Sequence, residues 1–245
     1  MKNILDISSL STEKNNSISQ FIGEQHNKNV LKMTGTFSNL VKEEEKLIIL
    51  IDIVGFSKDS TRDQVYKIYL FQHFLANKIV SNKIANKGKI HISHFVPTGD
   101  GSYIITEKCQ PDYALTFLTN LISGFKNYKP EGNLSLSIRA SALIGKVVPF
   151  IDIARHINYI GQGMNEAARI LSYGQKALEE KFLEENPDAE KGQEKLYSRN
   201  SLFLGDSLAE ALDNYKDACN EILTFNNLAD KHGLTRNVSV LQGIK

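Results

Sequence analysis

The spacing of apolar residues changes along this chain, and the changes mark its elements. Leu47 to Ile51 (LIILI) is an unbroken aliphatic run of the kind a strand carries when buried on both faces, and it runs straight into a carboxylate at Asp52. An ionised side chain there needs a partner that offsets its desolvation, and a cation is one such partner. Ile68, Phe71, Leu75 and Ile79 then recur three and four residues apart, on one helix face. Ahead of them, Ser60-Thr-Arg-Asp63 reads as a capping box in which Asp63 replaces the usual Glu or Gln. A strand at 89 to 96, the turn Thr98-Gly-Asp-Gly101 and a strand at 102 to 106 make a hairpin tipped by Asp100-Gly101.

Pro111 opens a second helix, with Ala114, Phe117, Leu118, Leu121 and Ile122 on its apolar face. After a turn at Pro130 to Asn133, SLSIRASALIGKVV reads as a strand with a break near Gly145. Residues 162 to 171 are helical, Leu196 to Leu204 forms a strand leading into a helix from Asp206, and Val238 to Leu241 closes the chain as a last strand. Strand, helix, hairpin, helix, strand is the order of an α+β sandwich, a mixed sheet covered by helices. Residues 1 to 46 are a polar extension expected to form short helices or a dimer arm, and 47 to 245 form the main domain. Within it, 175 to 195 is a charged insertion with Pro187 and Gly192 as breakers, read as a solvated helix.

Composition narrows the function little. The chain has 245 residues and a formal net charge of +1, which gives no broad electrostatic case for nucleic acid or an anionic membrane. No apolar stretch is long enough for a signal peptide or a membrane span, so a cytoplasmic, soluble protein is expected. Cys109 and Cys219 stand far apart without metal-ligand spacing and read as free thiols.

The chemistry collects at three places. If the first strand lies beside the hairpin, Asp52 and Asp100 meet at one sheet edge, where two like charges need cations between them. Two hard divalent ions bridged by such a pair suit phosphoryl transfer. Around Asp52, the segment Ile53-Val54-Gly55-Phe56-Ser57 lets the backbone turn at Gly55 and present amides to phosphate, or is simply a turn. Asn165 and Arg169 are one helical turn apart, suited to a ribose oxygen and a phosphate; alternatively, the Arg pairs with a surface Glu.

Taken in order, four stretches resemble the class III nucleotide cyclases, the adenylate and guanylate cyclase catalytic domains: IDIVGFS, TGDGSYII, RASALIGKV (139 to 147) and IGQGMNEAARI (160 to 170). The resemblance spans roughly residues 45 to 245 and implies a ferredoxin-like sandwich that pairs head to tail as a homodimer. It further implies that Asp52, Ile53 and Asp100 of one subunit hold two Mg²⁺ or Mn²⁺ ions while Asn165 and Arg169 arrive from the other. Val54, Gly55, Phe56 and Ser57 then border the phosphates of a nucleoside triphosphate, whose 3′-hydroxyl attacks the α-phosphorus and expels pyrophosphate.

Two positions that set base choice in that family are Val96 and Asn158. Adenylate cyclases carry Lys and Asp there, and guanylate cyclases Glu and Cys. Val96 offers no side-chain hydrogen bond, while Asn158 can donate and accept. With no recognisable sensor domain, the chain resembles the pyrimidine cyclases of bacterial anti-phage Pycsar systems, which make cyclic UMP or cyclic CMP for a separate effector protein. UTP or CTP is therefore the expected substrate, with a purine cyclase or a catalytically inactive nucleotide-binding domain as alternatives. The family's late phosphate-binding Lys is expected after the closing strand, where only Lys245 stands.

Overall fold

The structure is a computed structural model that describes residues 42–80, 90–128, 136–151, 157–190, 192–209, 211–229 and 234–244. The expected extension up to residue 41, the turn at Pro130 to Asn133 and Lys245 lie outside the described residues.

The aliphatic run is the centre of strand β1 (Glu44–Ile53). A single 3-10 turn (Phe56–Lys58) leads from it into helix α1 (Thr61–Phe74), which continues as a π-helical segment, Leu75–Val80. Next come β2 (Ile92–Pro97), β3 (Gly101–Glu107), α2 (Pro111–Asn127), β4 (Ile138–Ile151) and β5 (Ile157–Ile160). The last third holds the long helix α3 (Gln162–Glu185), α4 (Gln193–Tyr197), β6 (Leu202–Leu204), α5 (Asp206–Ala209), a 3-10 helix (Leu212–Ala218), β7 (Glu221–Ala229) and β8 (Thr235–Gln242).

The strands form one mixed sheet in the order β2-β3-β1-β4-β6-β8-β7, with β5 paired to the end of β4. Among the described residues only β4 and β6 run parallel, as the expected α+β architecture allows. β1 is central, antiparallel to both β3 and β4, so neither of its faces meets water. Leu47, Ile49, Ile51 and Ile53 pack with Phe71, Phe74 and Leu118 of α1 and α2, whereas Ile48 and Leu50 pack with Ala167 and Ile170 of α3. Each such side chain contributes roughly 1.5–3 kcal/mol when fully buried. At the near end of the run, Lys46 also faces α3's side and is only 7% exposed. Its Nζ bonds both oxygens of Glu107 at 2.9 and 2.8 Å and lies 3.0 Å from Glu44.

The cap at Ser60 forms as read: its Oγ accepts from the Asp63 amide at 3.3 Å and donates to the Asp63 carboxylate at 2.7 Å. Three expectations are corrected. β4 has no break at Gly145; that glycine is where α3 crosses the strand, and a Cβ there would stand 3.0 Å from Gly163 Cα. The segment expected as a strand from Leu196 is helical to Tyr197 and turns at Asn200 (φ 54°), whose amide donates to the Ile138 carbonyl. Only Leu202–Leu204 is extended. The charged stretch from 175 continues α3 to Glu185, and because Ala177 and Leu178 are buried it is not solvated all round.

Candidate active site

Side chains alternate along a strand, so Asp52 shares the α3 face with Ile48 and Leu50. Its cross-strand neighbours are Gly101 on β3 and Arg139 on β4. Arg139 reaches Asp52 Oδ2 through Nε at 2.7 Å and through Nη2 at 2.6 Å, a fork that holds the carboxylate in place. Asp100 is brought alongside by the hairpin: the Ile53 amide donates to its carbonyl at 2.9 Å. Close approach here depends on Gly101, since a Cβ would lie 1.9 Å from the Ile51 carbonyl oxygen.

Burial pushes the Asp52 carboxyl up to about 6; the Arg139 guanidinium pulls it down and the neighbouring Asp100 pushes it up again. The donor set fits a hard divalent cation, which would relieve both the burial of Asp52 and its repulsion from Asp100. Among the described residues no group of three or more His, Cys, Asp or Glu is arranged so that it could hold a metal ion. An ion held by this pair would draw its other ligands from oxygen donors besides side-chain carboxylates, as suits Mg²⁺.

That shift has a measurable consequence. Asp52 binds its proton more tightly folded than unfolded, so its contribution to stability is full below the ordinary value of 3.8 and is lost as pH rises through about 6. For a shift of this size the loss is roughly 3 kcal/mol. Mn²⁺ is therefore expected to raise Tm clearly at pH 7.5 and little at pH 5, as read by calorimetry. Asp52→Asn should abolish that difference, and equal shifts at both pH values would contradict the assignment.

The turn after β1 is pinned from several sides. Gly55 adopts φ 77°, the Lys58 amide donates back to its carbonyl at 3.1 Å, and Gln64 of α1 donates to the Phe56 carbonyl at 3.1 Å. Lys67 of α1 also pairs with Asp59 at 2.7 Å. The Val54 amide donates to the Ser137 carbonyl, which confines any amide cradle to Gly55, Phe56 and Ser57.

Val96 lies on β2 opposite Tyr103, and Asn158 on β5 opposite Phe150. Their strands approach each other, with the His94 ring edge-on to Tyr159 at 5.8 Å. Asn158 Oδ1 accepts from the Tyr159 amide at 2.8 Å, which orients the side chain so that its NH2 is presented as a donor. Asn165 is exposed on the first turn of α3, one turn before Arg169. Arg169 Nη1 stands 3.7 Å from Glu166 Oε2, a loose form of the Arg–Glu pairing weighed from the sequence. α3 begins over the half of β1 remote from Asp52, with Gly163 against Ile48 and the Lys146 carbonyl. Asp52 and Asp100 thus come together, while Asn165 and Arg169 sit one turn apart on another element, α3.

Arg139, the partner of Asp52, is the residue that motif reading passed over. Its signal was a lone cation in the otherwise apolar and small strand sequence SIRASAL. Tyr103 is another: its hydroxyl donates to the Met164 carbonyl at 3.2 Å, tying β3 of the Asp100 hairpin to α3. Neither Cys109 nor Cys219 is in a disulfide, and burial pushes the Cys109 thiol up to about 11. No described helix is long and apolar enough to cross a membrane.

No protein-family model and no curated protein matches the chain. Solved structures do. The catalytic core of a rhodopsin-guanylyl cyclase with converted specificity, in complex with ATPαS, matches over 84% of this chain and all of its own, with TM-score 0.53 at 17% identity. The guanylate cyclase domain of RhGC from Catenaria anguillulae, in complex with GTP, matches over 83% of this chain and all of its own, with TM-score 0.53 at 18% identity. The guanylyl cyclase Cya2 matches over 84% of this chain and 95% of its own, with TM-score 0.51 at 15% identity. At such identities the likeness is one of fold: this chain has the fold of class III cyclase catalytic domains.

Proposed function

We propose that the protein is a nucleotide cyclase that converts a nucleoside triphosphate, UTP or CTP first, into a 3′,5′-cyclic nucleotide and pyrophosphate. The observation that carries the reading is the carboxylate pair, Asp52 and Asp100, drawn together at one sheet edge in this fold with Arg139 on Asp52.

Two divalent ions, Mg²⁺ or Mn²⁺, held by Asp52, Asp100 and the backbone of Ile53, supply the means to acidify the ribose 3′-hydroxyl and to clamp the triphosphate. The residues of the chain do the rest. The amides of Gly55, Phe56 and Ser57 face the phosphates at the start of the 3-10 turn. Asn165 orients the ribose, and Arg169 balances the charge that grows on the phosphoryl oxygens as the 3′-oxygen attacks and pyrophosphate leaves. As the resemblance implies, a head-to-tail homodimer completes each centre, the carboxylates of one subunit working with Asn165 and Arg169 of the second copy.

The base reading rests on Val96 and Asn158. Val96 offers a purine edge no hydrogen bond, and the Asn158 NH2 matches the ring carbonyl that uracil and cytosine share. The product, as the resemblance to Pycsar cyclases implies, signals to a separate effector in anti-phage defence. Incubating the protein with Mn²⁺ and each of ATP, GTP, CTP and UTP, with products resolved by mass spectrometry, tests this. A cyclic pyrimidine is expected; a cyclic purine alone overturns the base assignment and keeps the reaction, and no product from any triphosphate overturns both.

A further inference from the structure

Two buried acceptors lie close to the candidate metal centre with nothing to accept. Among the described residues, Asn200 Oδ1 and Ser201 Oγ are shut away from solvent without a hydrogen-bond partner. Such orphans are rare in folded chains, because the hydration lost on burial is not replaced. They stand where the chain enters β6 alongside β4. The Asn200 amide donates to the Ile138 carbonyl at 2.8 Å, the Ala140 amide donates to the Ser201 carbonyl at 3.1 Å, and Ala140 pairs with Leu202. Arg139 is the residue between Ile138 and Ala140, so it has Asp52 of β1 on one side and the Asn200–Ser201 step on the other. Ser201 is two residues ahead of Phe203, whose ring abuts Gly174 of α3, and by strand alternation it shares the face of Asp52 and Arg139.

Arg139 is at present committed to Asp52: Nε at 2.7 Å and Nη2 at 2.6 Å both fall on one oxygen, Oδ2. It thus competes with any cation for this carboxylate, since like charges repel strongly at such range. A guanidinium carries donors only, and an amide oxygen and a hydroxyl oxygen can both accept from it. Neighbouring strands are about 4.8 Å apart, so a long side chain rooted on β4 reaches either flank by changing rotamer, with no shift of the backbone. We propose that Arg139 is a positioning residue with two berths: it holds Asp52 while no cation is bound there, and it moves onto Asn200 Oδ1 and Ser201 Oγ when a cation takes the carboxylate. The two acceptors are unpaired because their donor is engaged elsewhere. The inference rests on the metal assignment at Asp52 and is independent of which triphosphate is turned over.

Titration calorimetry of the full chain with Mn²⁺ alone tests it. Asn200→Gly combined with Ser201→Ala removes the second berth while suiting the positive φ of 54° at residue 200. Mn²⁺ affinity is then expected to fall about tenfold, because Arg139 has nowhere to go. Arg139→Met removes the competitor and is expected to tighten Mn²⁺ binding about tenfold. In the Arg139→Met background the berth substitutions should change affinity less than about twofold, since their effect passes through Arg139. Weaker Mn²⁺ binding by Arg139→Met, or a berth effect that persists without Arg139, overturns the inference. A crystal structure of the wild type with Mn²⁺ decides the matter without any variant. The guanidinium within hydrogen-bonding distance of Asn200 Oδ1 or Ser201 Oγ supports the inference; the guanidinium still on Asp52, with ordered water on the two acceptors, overturns it. A wild type that binds no Mn²⁺ overturns the inference together with the metal assignment, whereas Mn²⁺ binding that none of the substitutions alters overturns the inference alone.

Discussion

Asp100→Ala is expected to yield a folded protein with no measurable cyclase turnover, a loss of at least about 10³-fold. The side chain stands at a hairpin tip, and the contact that closes the hairpin onto β1 is made by the Asp100 carbonyl, which the substitution keeps. What disappears is half of the carboxylate pair. With it goes the repulsion that raises Asp52, so the variant's Asp52 should ionise at lower pH. Turnover with Mn²⁺ is measured beside circular dichroism and Tm. A folded variant with undiminished activity would remove the metal assignment, because nothing else at this sheet edge replaces that carboxylate among the described residues.

The second large effect is a recovery. Arg169→Ala alone is expected to be as inactive as is practical to measure, and mixing it with Asp100→Ala should restore activity to about a quarter of wild type. The reasoning is geometric. If Asp52 and Asp100 of one subunit work with Asn165 and Arg169 of the other, a mixed dimer holds one intact centre and one doubly damaged centre. Random exchange makes half of the dimers mixed, and each has one working centre out of two. Subunit exchange is checked with differently tagged chains. Mixed dimers without recovered activity would mean that the two half-sites do not meet across this interface.

Much of this arrangement was legible in the sequence, and what escaped did so for physical reasons. Ser60 and Asp63, the Thr98–Gly101 turn and Pro111 are local signals; each fixes backbone within a few residues, and the elements they announce are present. Element order permitted Asp52 and Asp100 to meet only if the first strand lay beside the hairpin, and β1 does pair with β3. β7 gave almost no periodic signal: it is an edge strand of mixed exposure with a register shift between Phe225 and Leu228. The segment before β6 misled because its apolar residues mimic a strand, whereas the turn at Asn200 is set by a bond to β4, a partner about sixty residues away. Arg139 and Ser201 show the same limit. Their neighbours are set by pairing between strands, which no short motif displays.

The central strand also carries a safeguard. A uniformly aliphatic segment can slide by one residue past its neighbours with little change in hydrophobic burial, and such slips make misfolded pairings. β1 has an ionic residue at each end of its run, Lys46 and Asp52, both on the α3 face and both matched by charges on adjoining strands, Glu107 and Arg139. A slip of one residue would turn both into the wholly apolar layer beneath α1 and α2 and strip each of its partner, at a cost of several kcal/mol apiece. The carboxylate proposed to serve the chemistry thus also sets the reading frame of the sheet, and a chain that folds around β1 in the correct register has already put its candidate metal ligand in place.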